Sequence, residues 1–340
     1  MKTAVVILNY NTREYLERFL PALCASCEGL DAQVVVADNA SSDGSADFMK
    51  EKWPEIPLIC LDGNYGYTGG YNRALAMLDA TYYVLINSDI EVPADWLSPL
   101  VDWMDSHPEC AACAPKLLDW NNRGRFEYAG AAGGYLDLWG YPYCRGRILQ
   151  MIEEDHGQYD EPARVLWASG ACLMVRAAVF HGLGGFDERF FAHMEEIDLC
   201  WRMQLEGFKI DIVPSSKVWH IGGGTLPNNS PFKLRLNFRN NLLLLENNLA
   251  RTFRASHPMW TDDKCYFRAR RRIIWRMLLD GGSALVFLLT GRKEFFKAVI
   301  QAHKEYRQLR SKASLEGQAH LAIEGLSERP VVLTALFFRK

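Results

Sequence analysis

A chain of 340 residues, 49% hydrophobic and 23% charged, can bury a sizeable core, which excludes a disordered or repetitive protein and suggests one large domain plus an appendage. The net charge of −3 hides an asymmetry, because residues 1–250 carry 20 Lys and Arg against 33 Asp and Glu, whereas residues 251–340 carry 18 against 8. A tail of +10 on a body of −13 implies an anionic partner for the tail, either a membrane surface or nucleic acid, unless the charge is only a solvated helix face.

No secretory signal is expected, since Met1-Lys2 leads straight into the strand-like run Ala4-Val5-Val6-Ile7-Leu8, which ends at Asn9-Tyr10-Asn11. Thr12 is expected to cap a helix with Tyr15, Leu16, Phe19, Leu20 and Leu23 on one face. Val34 to Ala37 reads as a second strand, and it too runs into polar residues, Asp38-Asn39-Ala40-Ser41-Ser42-Asp43-Gly44-Ser45. Leu58 to Leu61 is a third, followed by Gly63 to Asn72 and a helix through Ala74, Leu75 and Leu78. A fourth apolar run breaks at Asn87-Ser88-Asp89.

This β-α-β-α-β-α-β order predicts a mostly parallel sheet with a ligand crevice at the carboxyl ends of its strands. Asp89 at such an end suits a hard cation, Mg²⁺ or Mn²⁺, although it also fits a capped turn. A nucleotide is the expected occupant. The first strand lacks a G-x-G-x-x-G turn and the chain has no G-x-x-x-x-G-K-[ST] loop, so neither a Rossmann dinucleotide site nor a P-loop is expected. Glycines 66, 69 and 70 permit close backbone approach to a ligand or simply make a tight turn. Two C-x-x-C pairs, Cys24/Cys27 and Cys110/Cys113, sit in a helical pattern and a strand entry, and are read as buried thiols rather than as zinc ligands.

In the second half, Trp167 to Arg176 reads as a strand. A helix beginning near Glu195 puts Ile197, Trp201 and Leu205 on a core stripe, pairs Asp198 with Arg202, and sets Glu195 and Glu196 in the first turn. The positive end of the helix dipole favours ionised carboxylates there, hence a base. Val218-Trp219-His220 followed by Ile221-Gly222-Gly223-Gly224-Thr225 places a histidine between a strand and a glycine run. From Pro231 the pattern is helical, with Phe232, Leu236, Arg239-Asn240-Asn241 and Leu242 to Leu245 ahead of the basic Arg268 to Arg276. The apolar segment Ser283 to Thr290 is far short of the roughly 20 residues that span a bilayer. Residues 251–312 are therefore read as a peripheral membrane-docking region, a buried helical subdomain being the alternative. Nucleic acid is not expected, because no binding motif accompanies the charge.

The motifs Ile7-Leu8-Asn9-Tyr10-Asn11, Val36 to Gly44, Asn64-x-Gly66-x-x-Gly69-x-x-Asn72 and Leu85-x-Asn87-x-Asp89 resemble, in order and spacing, those of family 2 inverting glycosyltransferases with the GT-A fold. Gly184-Gly185-Phe186-Asp187-Glu188-Arg189-Phe190-Phe191 and Met194 to Arg202 resemble the family's F-D-E-x-F-F…E-D-x-D-L-x-x-R block. The resemblance implies an α/β GT-A domain over residues 1–228, divided into a nucleotide-sugar half (1–115) and an acceptor and catalytic half (116–228), with a helical, basic region over 229–340. It assigns Asn9, Tyr10, Asn11, Asp38, Asn39, Asn64, Gly66, Gly69, Asn72, Asn87 and Ser88 to the donor. Asp89, as the last acid of a D-x-D motif, and His220 would hold Mg²⁺ or Mn²⁺. Glu195, Glu196 and Asp198 are the catalytic candidates, Asp198 being open to a structural role. Two residues depart from the family pattern, Asn87 at the first acid of D-x-D and Glu196 at the usual Asp of E-D.

The implied activity is inverting transfer from a UDP- or dTDP-linked sugar to a saccharide or glycolipid, in polysaccharide synthesis on the inner face of the cytoplasmic membrane. A nucleotidyltransferase and a lapsed sugar-nucleotide-binding module are the rival readings.

Overall fold

The computed structural model describes residues 1–222 and 230–337. Its first half alternates strand and helix: β1 (Thr3–Asn9), α1 (Arg13–Cys27), β2 (Ala32–Asp38), α2 (Ser45–Lys52), β3 (Leu58–Cys60), α3 (Gly66–Leu75), β4 (Tyr82–Ile86), β5 (Ile90–Glu91), α4 (Leu97–Ser106) and β6 (Cys110–Asp119). Short strands follow: β7 (Gly134–Leu136), β8 (Pro142–Cys144), β9 (Arg147–Ile148), β10 (Met151–Ile152) and β11 (Ala163–Arg164). Then come β12 (Cys172–Arg176), α5 (Ala177–Gly182), α6 (Glu195–Leu205), β13 (Lys209–His220), α7 (Pro231–Ser256), α8 (Asp262–Leu289), α9 (Lys293–Leu309) and α10 (Val331–Phe337).

The main sheet runs β11-β13-β6-β12-β4-β1-β2-β3, with β5 added on β13. β1 is parallel to β2 and β4, and β2 to β3, so Asn9, Asp38, Cys60 and Ile86 end on one edge. The apolar runs form these strands because both sheet faces are covered. Val6, Val35 and Leu85 face Tyr71 and Ala74 of α3, while Val5, Val34, Val36 and Val84 face Leu16 and Leu20 of α1 and Leu97 of α4. β12 enters antiparallel between β4 and β6. β13 lies parallel to β6, and its last residues pair with β5, His220 opposite Ile90. β7 to β10 form a separate small antiparallel sheet.

Several local expectations change. Thr12 occupies the N-cap position of α1, but its side chain makes no cap bond and is drawn into the site described below. The glycines at 66, 69 and 70 lie inside α3, which ends at Leu75, short of Leu78. Glycine is disfavoured inside a helix, and here it stays because larger side chains would collide with neighbouring segments. Only Cys172–Arg176 of the 167–176 run is a strand; Trp167 is spent on an isolated bridge to Gly134. Ile197, Trp201 and Leu205 are all buried, as their spacing requires. Cys110 and Cys113 are fully buried within β6, and all nine thiols are free.

Ser230 caps α7 by accepting from the Lys233 N–H, with Pro231 in the first turn. α7 packs along α6, α8 and α9, and its Leu242 to Leu245 join the same core as the sheet, as do Cys265, Ala269, Ile273, Tyr306 and Leu315 from the basic tail. The glycine run after His220 and the boundary at 228/229 fall largely outside the described residues; of that run only Gly222 is described.

Candidate active site

A chain of hydrogen bonds crosses the carboxyl edge of the sheet. Buried Asn9 donates through Nδ2 to Asp38 Oδ1 (2.9 Å) and to Ser41 Oγ (3.0 Å), and Asp38 Oδ2 accepts from the Ser41 N–H at 2.9 Å. Asn9 Oδ1 accepts from the Thr12 hydroxyl at 2.6 Å, which lies 2.9 Å from the Ser88 hydroxyl. β2, β1 and β4 are thereby tied together one residue short of Asp89. Tyr10 is half-buried, and Asn11 is exposed with φ 54°, its Oδ1 accepting from the Ser42 N–H at 2.7 Å. Asn11 lines a polar cavity of about 470 Å³ together with Arg13, Glu14, Glu17 and Asp43.

The glycine segment does something the sequence did not reveal: it receives the loop that leads to the glutamates. A Cβ on Gly66 (φ +68°) would lie 2.4 Å from the Phe191 carbonyl oxygen, which accepts from the Thr68 N–H at 3.2 Å. Asn39 organises the approach, accepting from the Tyr65 N–H at 3.0 Å and donating to Asn64 Oδ1 (3.1 Å) and the Gly66 carbonyl (3.0 Å). Gly69 is walled by Tyr65, Arg73 and Glu188. Asn72 is engaged away from the strand ends, its amide bonding both the N–H and the carbonyl of Phe186 at 2.9 Å.

Asp89 and His220 meet because β5 pairs with the end of β13. His220 Nε2 lies 3.1 Å from Asp89 Oδ1 and Nδ1 lies 3.3 Å from Glu127 Oε1, all three side chains under a tenth exposed. Burial pulls the imidazolium pKa down, but the two carboxylates outweigh it and raise it to about 10. Burial likewise opposes the Asp89 charge, and His220 reverses the balance, holding its carboxyl below the usual range. Asn87 Nδ2 is 3.5 Å from His220 Nε2. Glu127, in an irregular stretch after β6, carried no signal in the sequence.

Among the described residues no group of three or more His, Cys, Asp or Glu is disposed to hold a metal ion. Asp89 and His220 Nε2 nevertheless form a two-donor corner that would suit a cation completing its shell with diphosphate oxygens and water, once the cation displaces the proton that Nε2 shares with Asp89. Glu127 behind Nδ1 would then act as the carboxylate that orients a ligating imidazole.

Glu195 and Glu196 open α6, as the spacing indicated. Glu195 is 5% exposed and Glu196 half-buried, and in each the Oε2 atom is buried without a hydrogen-bond partner. Desolvation opposes the charge-stabilising effect expected of the helix dipole. Burial raises Glu196 to about 7, whereas burial and the neighbouring Glu196 charge hold Glu195 well above the carboxylate range. Asp198 is fully buried and its carboxylate is taken up inside the protein, Oδ2 accepting from Arg202 Nε at 2.7 Å and Oδ1 from the amides of Asn247 (3.0 Å) and Asn248 (2.9 Å).

The loop before the glutamates is strained. Phe191, His193 and Met194 have φ of 63°, 71° and 73°, conformations costing about 1–3 kcal/mol each in a residue with a side chain. Helix α7 holds them there. Fully buried Asn240 donates to the carbonyls of Phe190 (2.9 Å), Ala192 (2.8 Å) and His193 (2.8 Å). Arg239 fixes that amide by donating from Nε to Asn240 Oδ1 at 2.8 Å, and its Nη2 bonds the carbonyls of Arg189 and Phe190. The segment 169–171 links this loop to Asp89: the Ala171 carbonyl accepts from the Asn87 N–H at 2.9 Å, and a Cβ on Gly170 would lie 3.5 Å from Glu196 Cβ.

Residues 4–180 match the family described as "Glycosyl transferase family 2". The chain belongs to that family. It is a glycosyltransferase with the GT-A fold, and relatives in the family bear on its chemistry. It is 30% identical over 231 residues, covering 64% of this chain and 75% of the relative, to the N-acetylglucosaminyl-diphospho-decaprenol L-rhamnosyltransferase of Mycobacterium tuberculosis. Two solved structures share the fold. GalNAc-T7 with UDP, GalNAc and Mn²⁺ has a TM-score of 0.55 at 17% identity, over 82% of this chain and 56% of that one. Mannosyltransferase PcManGT from Pyrobaculum calidifontis with GDP-Man and Mn²⁺ has a TM-score of 0.53 at 16% identity, over 90% and 87%.

Proposed function

We propose that this family 2 enzyme transfers a sugar, with inversion, from a UDP- or dTDP-linked donor to a hydroxyl of a lipid-linked saccharide at the cytoplasmic membrane. The observation that carries the reading is Glu196, whose buried Oε2 has no hydrogen-bond partner at the first turn of α6, beside Glu195, burial raising the pKa of both carboxyls. Residues 1–228 supply the reaction centre and 229–340 complete it with helix α7.

The donor's nucleoside is assigned to Asn9, Tyr10, Asn11, Asp38 and Asn39, where three strand ends are tied into one polar edge. Asn64, Gly66 and Gly69 hold the turn beside it, and Asn87 and Ser88 flank Asp89. Asn72 contributes through Phe186, not by direct contact. A Mg²⁺ or Mn²⁺ ion, when bound, neutralises charge on the departing diphosphate. Asp89 and His220 would hold it, and the Mn²⁺ in both structural neighbours supports such use.

Ionised Glu196 then accepts the proton of the acceptor hydroxyl as that oxygen attacks the anomeric carbon opposite the leaving group. Burial and the Glu196 charge both favour the neutral form of Glu195, which leaves Glu196 as the better placed anion of the pair. Direct displacement by the hydroxyl needs no covalent glycosyl-enzyme, and the configuration inverts. The name of the mycobacterial relative supports a lipid-diphosphate acceptor and a rhamnosyl donor. No observation favours a nucleotidyltransferase or a lapsed module. Turnover of a nucleotide-sugar panel with Mn²⁺ or Mg²⁺ and a polyprenyl-diphosphate-linked N-acetylglucosamine tests this: one donor should release its nucleoside diphosphate in step with acceptor glycosylation. Release that ignores acceptor and metal would refute it.

A further inference from the structure

Helix α8 divides cleanly into two faces. Cys265, Ala269, Ile273, Arg276, Asp280 and Ala284 are buried, at spacings of three and four residues that put them on one stripe. Arg276 Nε donates to Asp280 Oδ1 at 2.8 Å inside the protein, and its Nη1 bonds Asn241 of α7. This pair, with Asp280 also 3.3 Å from His303 of α9, locks the rotation of α8 about its own axis.

The opposite face is apolar and is covered by nothing among the described residues. Ile274, Trp275, Leu278, Leu285, Leu288 and Leu289 are exposed, Leu278 at 60% and Leu289 at 77%. Between them Gly281 and Gly282 add no charge. Of the large hydrophobic residues exposed on the described surface, none of the other helices carries a comparable group. Cations stand at both ends of this stretch: Arg270 and Arg271 before it, Lys293 after it, all exposed and without an ion pair among the described residues. The sequence cluster Arg268 to Arg276 is thus split by the fold, Arg276 going to the interior and Arg270, Arg271, Ile274 and Trp275 to the surface.

We infer that this face of α8 is the membrane contact of the enzyme, lying flat in the headgroup region of an anionic bilayer with its leucines below and Arg270, Arg271 and Lys293 against lipid phosphates. No helix among the described residues is long and apolar enough to cross a membrane, so the contact is interfacial. Charge selects an anionic bilayer over a symmetric pairing of two α8 faces, because such a pairing would bring the exposed Arg270, Arg271 and Lys293 against their own counterparts, whereas lipid phosphates neutralise them. The inference rests on the proposed function for its setting alone: a lipid-linked acceptor brings the enzyme to such a surface.

The test is co-sedimentation of the full-length protein with vesicles of phosphatidylcholine, with or without about one-third phosphatidylglycerol, at low and high salt. Binding should require the anionic lipid and weaken with salt. Leu278→Glu with Leu285→Glu, both at exposed positions, should lower partition at least about tenfold, with circular dichroism and donor turnover in solution unchanged. Arg270→Glu with Arg271→Glu should lower it by a similar factor at low salt and have little effect at high salt. Absence of vesicle binding by the wild type, or binding that survives the leucine substitutions, overturns the inference. So does a dimer in sedimentation velocity that the leucine variant dissociates. The assay contains no nucleotide-sugar, so its failure leaves the transferase reading standing, and a catalytically dead protein should still bind.

Discussion

Glu196 shows how two familiar forces compete at one residue. A helix N-terminus stabilises a negative charge by about 0.3–1 kcal/mol at an exposed site, yet burial of two adjacent carboxyls costs more, so the pair resists ionisation. For an acid with a raised pKa the neutral form dominates below that value. The proposed base therefore becomes competent only as pH rises through about 7, and kcat should fall on the acid side with a limb near that pH, read from a pH–rate profile at saturating donor. Glu196→Gln removes proton acceptance while keeping shape, so kcat should fall by about 10²–10⁴-fold with donor KM nearly unchanged. Glu195→Gln imitates a carboxyl that is already protonated and should cost little. Were Glu195→Gln the damaging change, the base would be its neighbour. Asp89→Ala should abolish the Mn²⁺-dependent part of turnover, and unchanged metal dependence would remove Asp89 from the metal site.

The position of these carboxylates was legible because an apolar strand that stops at a polar cluster, or an i, i+4 stripe behind two acids, is a local pattern. Their ionisation was not, since desolvation comes from residues far away in the chain. Thr12 was misread for a related reason: alone it looks like a helix cap, and only the arrival of Ser88 from β4 gives its hydroxyl a better partner. Glu127 reaches His220 through a loop with no periodicity to read.

At the level of elements, the strained 191–194 loop and helix α7 form one device. Three left-handed residues persist because Asn240 and Arg239 bind the carbonyls of Phe190, Ala192 and His193, within and beside them, from a helix that begins forty residues later. A signal existed: Arg239-Asn240-Asn241 interrupts an apolar helix on its buried side, and buried amides are there to bond something. Asn240→Ala should free the loop, lowering kcat by about 10–100-fold and moving the acid limb of the pH profile, with donor KM spared. A purely structural Asn240 would instead lower the melting temperature and leave the profile in place. Asp198→Ala leaves the Arg202 guanidinium and two amides without their acceptor, and should cost about 3–5 kcal/mol in denaturant unfolding. A cost below about 1 kcal/mol would mean that the Asp198 cluster does not hold α6.

Over the whole molecule, the parallel sheet and its site-bearing edge followed from alternating apolar runs and helical periods, whereas the role of the basic tail did not. Composition marked residues 251–340 as a basic tail with an anionic partner, and the pattern over 251–312 read as a membrane-docking region or else a buried helical subdomain. In the structure α8 and α9 pack on α7, and Tyr306 and Leu315 enter the core shared with the sheet, so one face of the tail is interior and the other is uncovered among the described residues. A charge count cannot separate the two faces. The tail is consequently no detachable anchor: a chain ending after Ser256 should aggregate or lose cooperative unfolding by circular dichroism, and a soluble, cooperatively folded truncation would show that the sheet is self-sufficient. Whether Glu196 drives metal-assisted inverting transfer is decided by proton NMR of the product made with the accepted donor by wild type and Glu196→Gln. The product should have an anomeric configuration opposite to the donor's, formed only with a divalent cation and about 10²–10⁴-fold more slowly in the variant. Retained configuration, or a variant as fast as wild type, would contradict this.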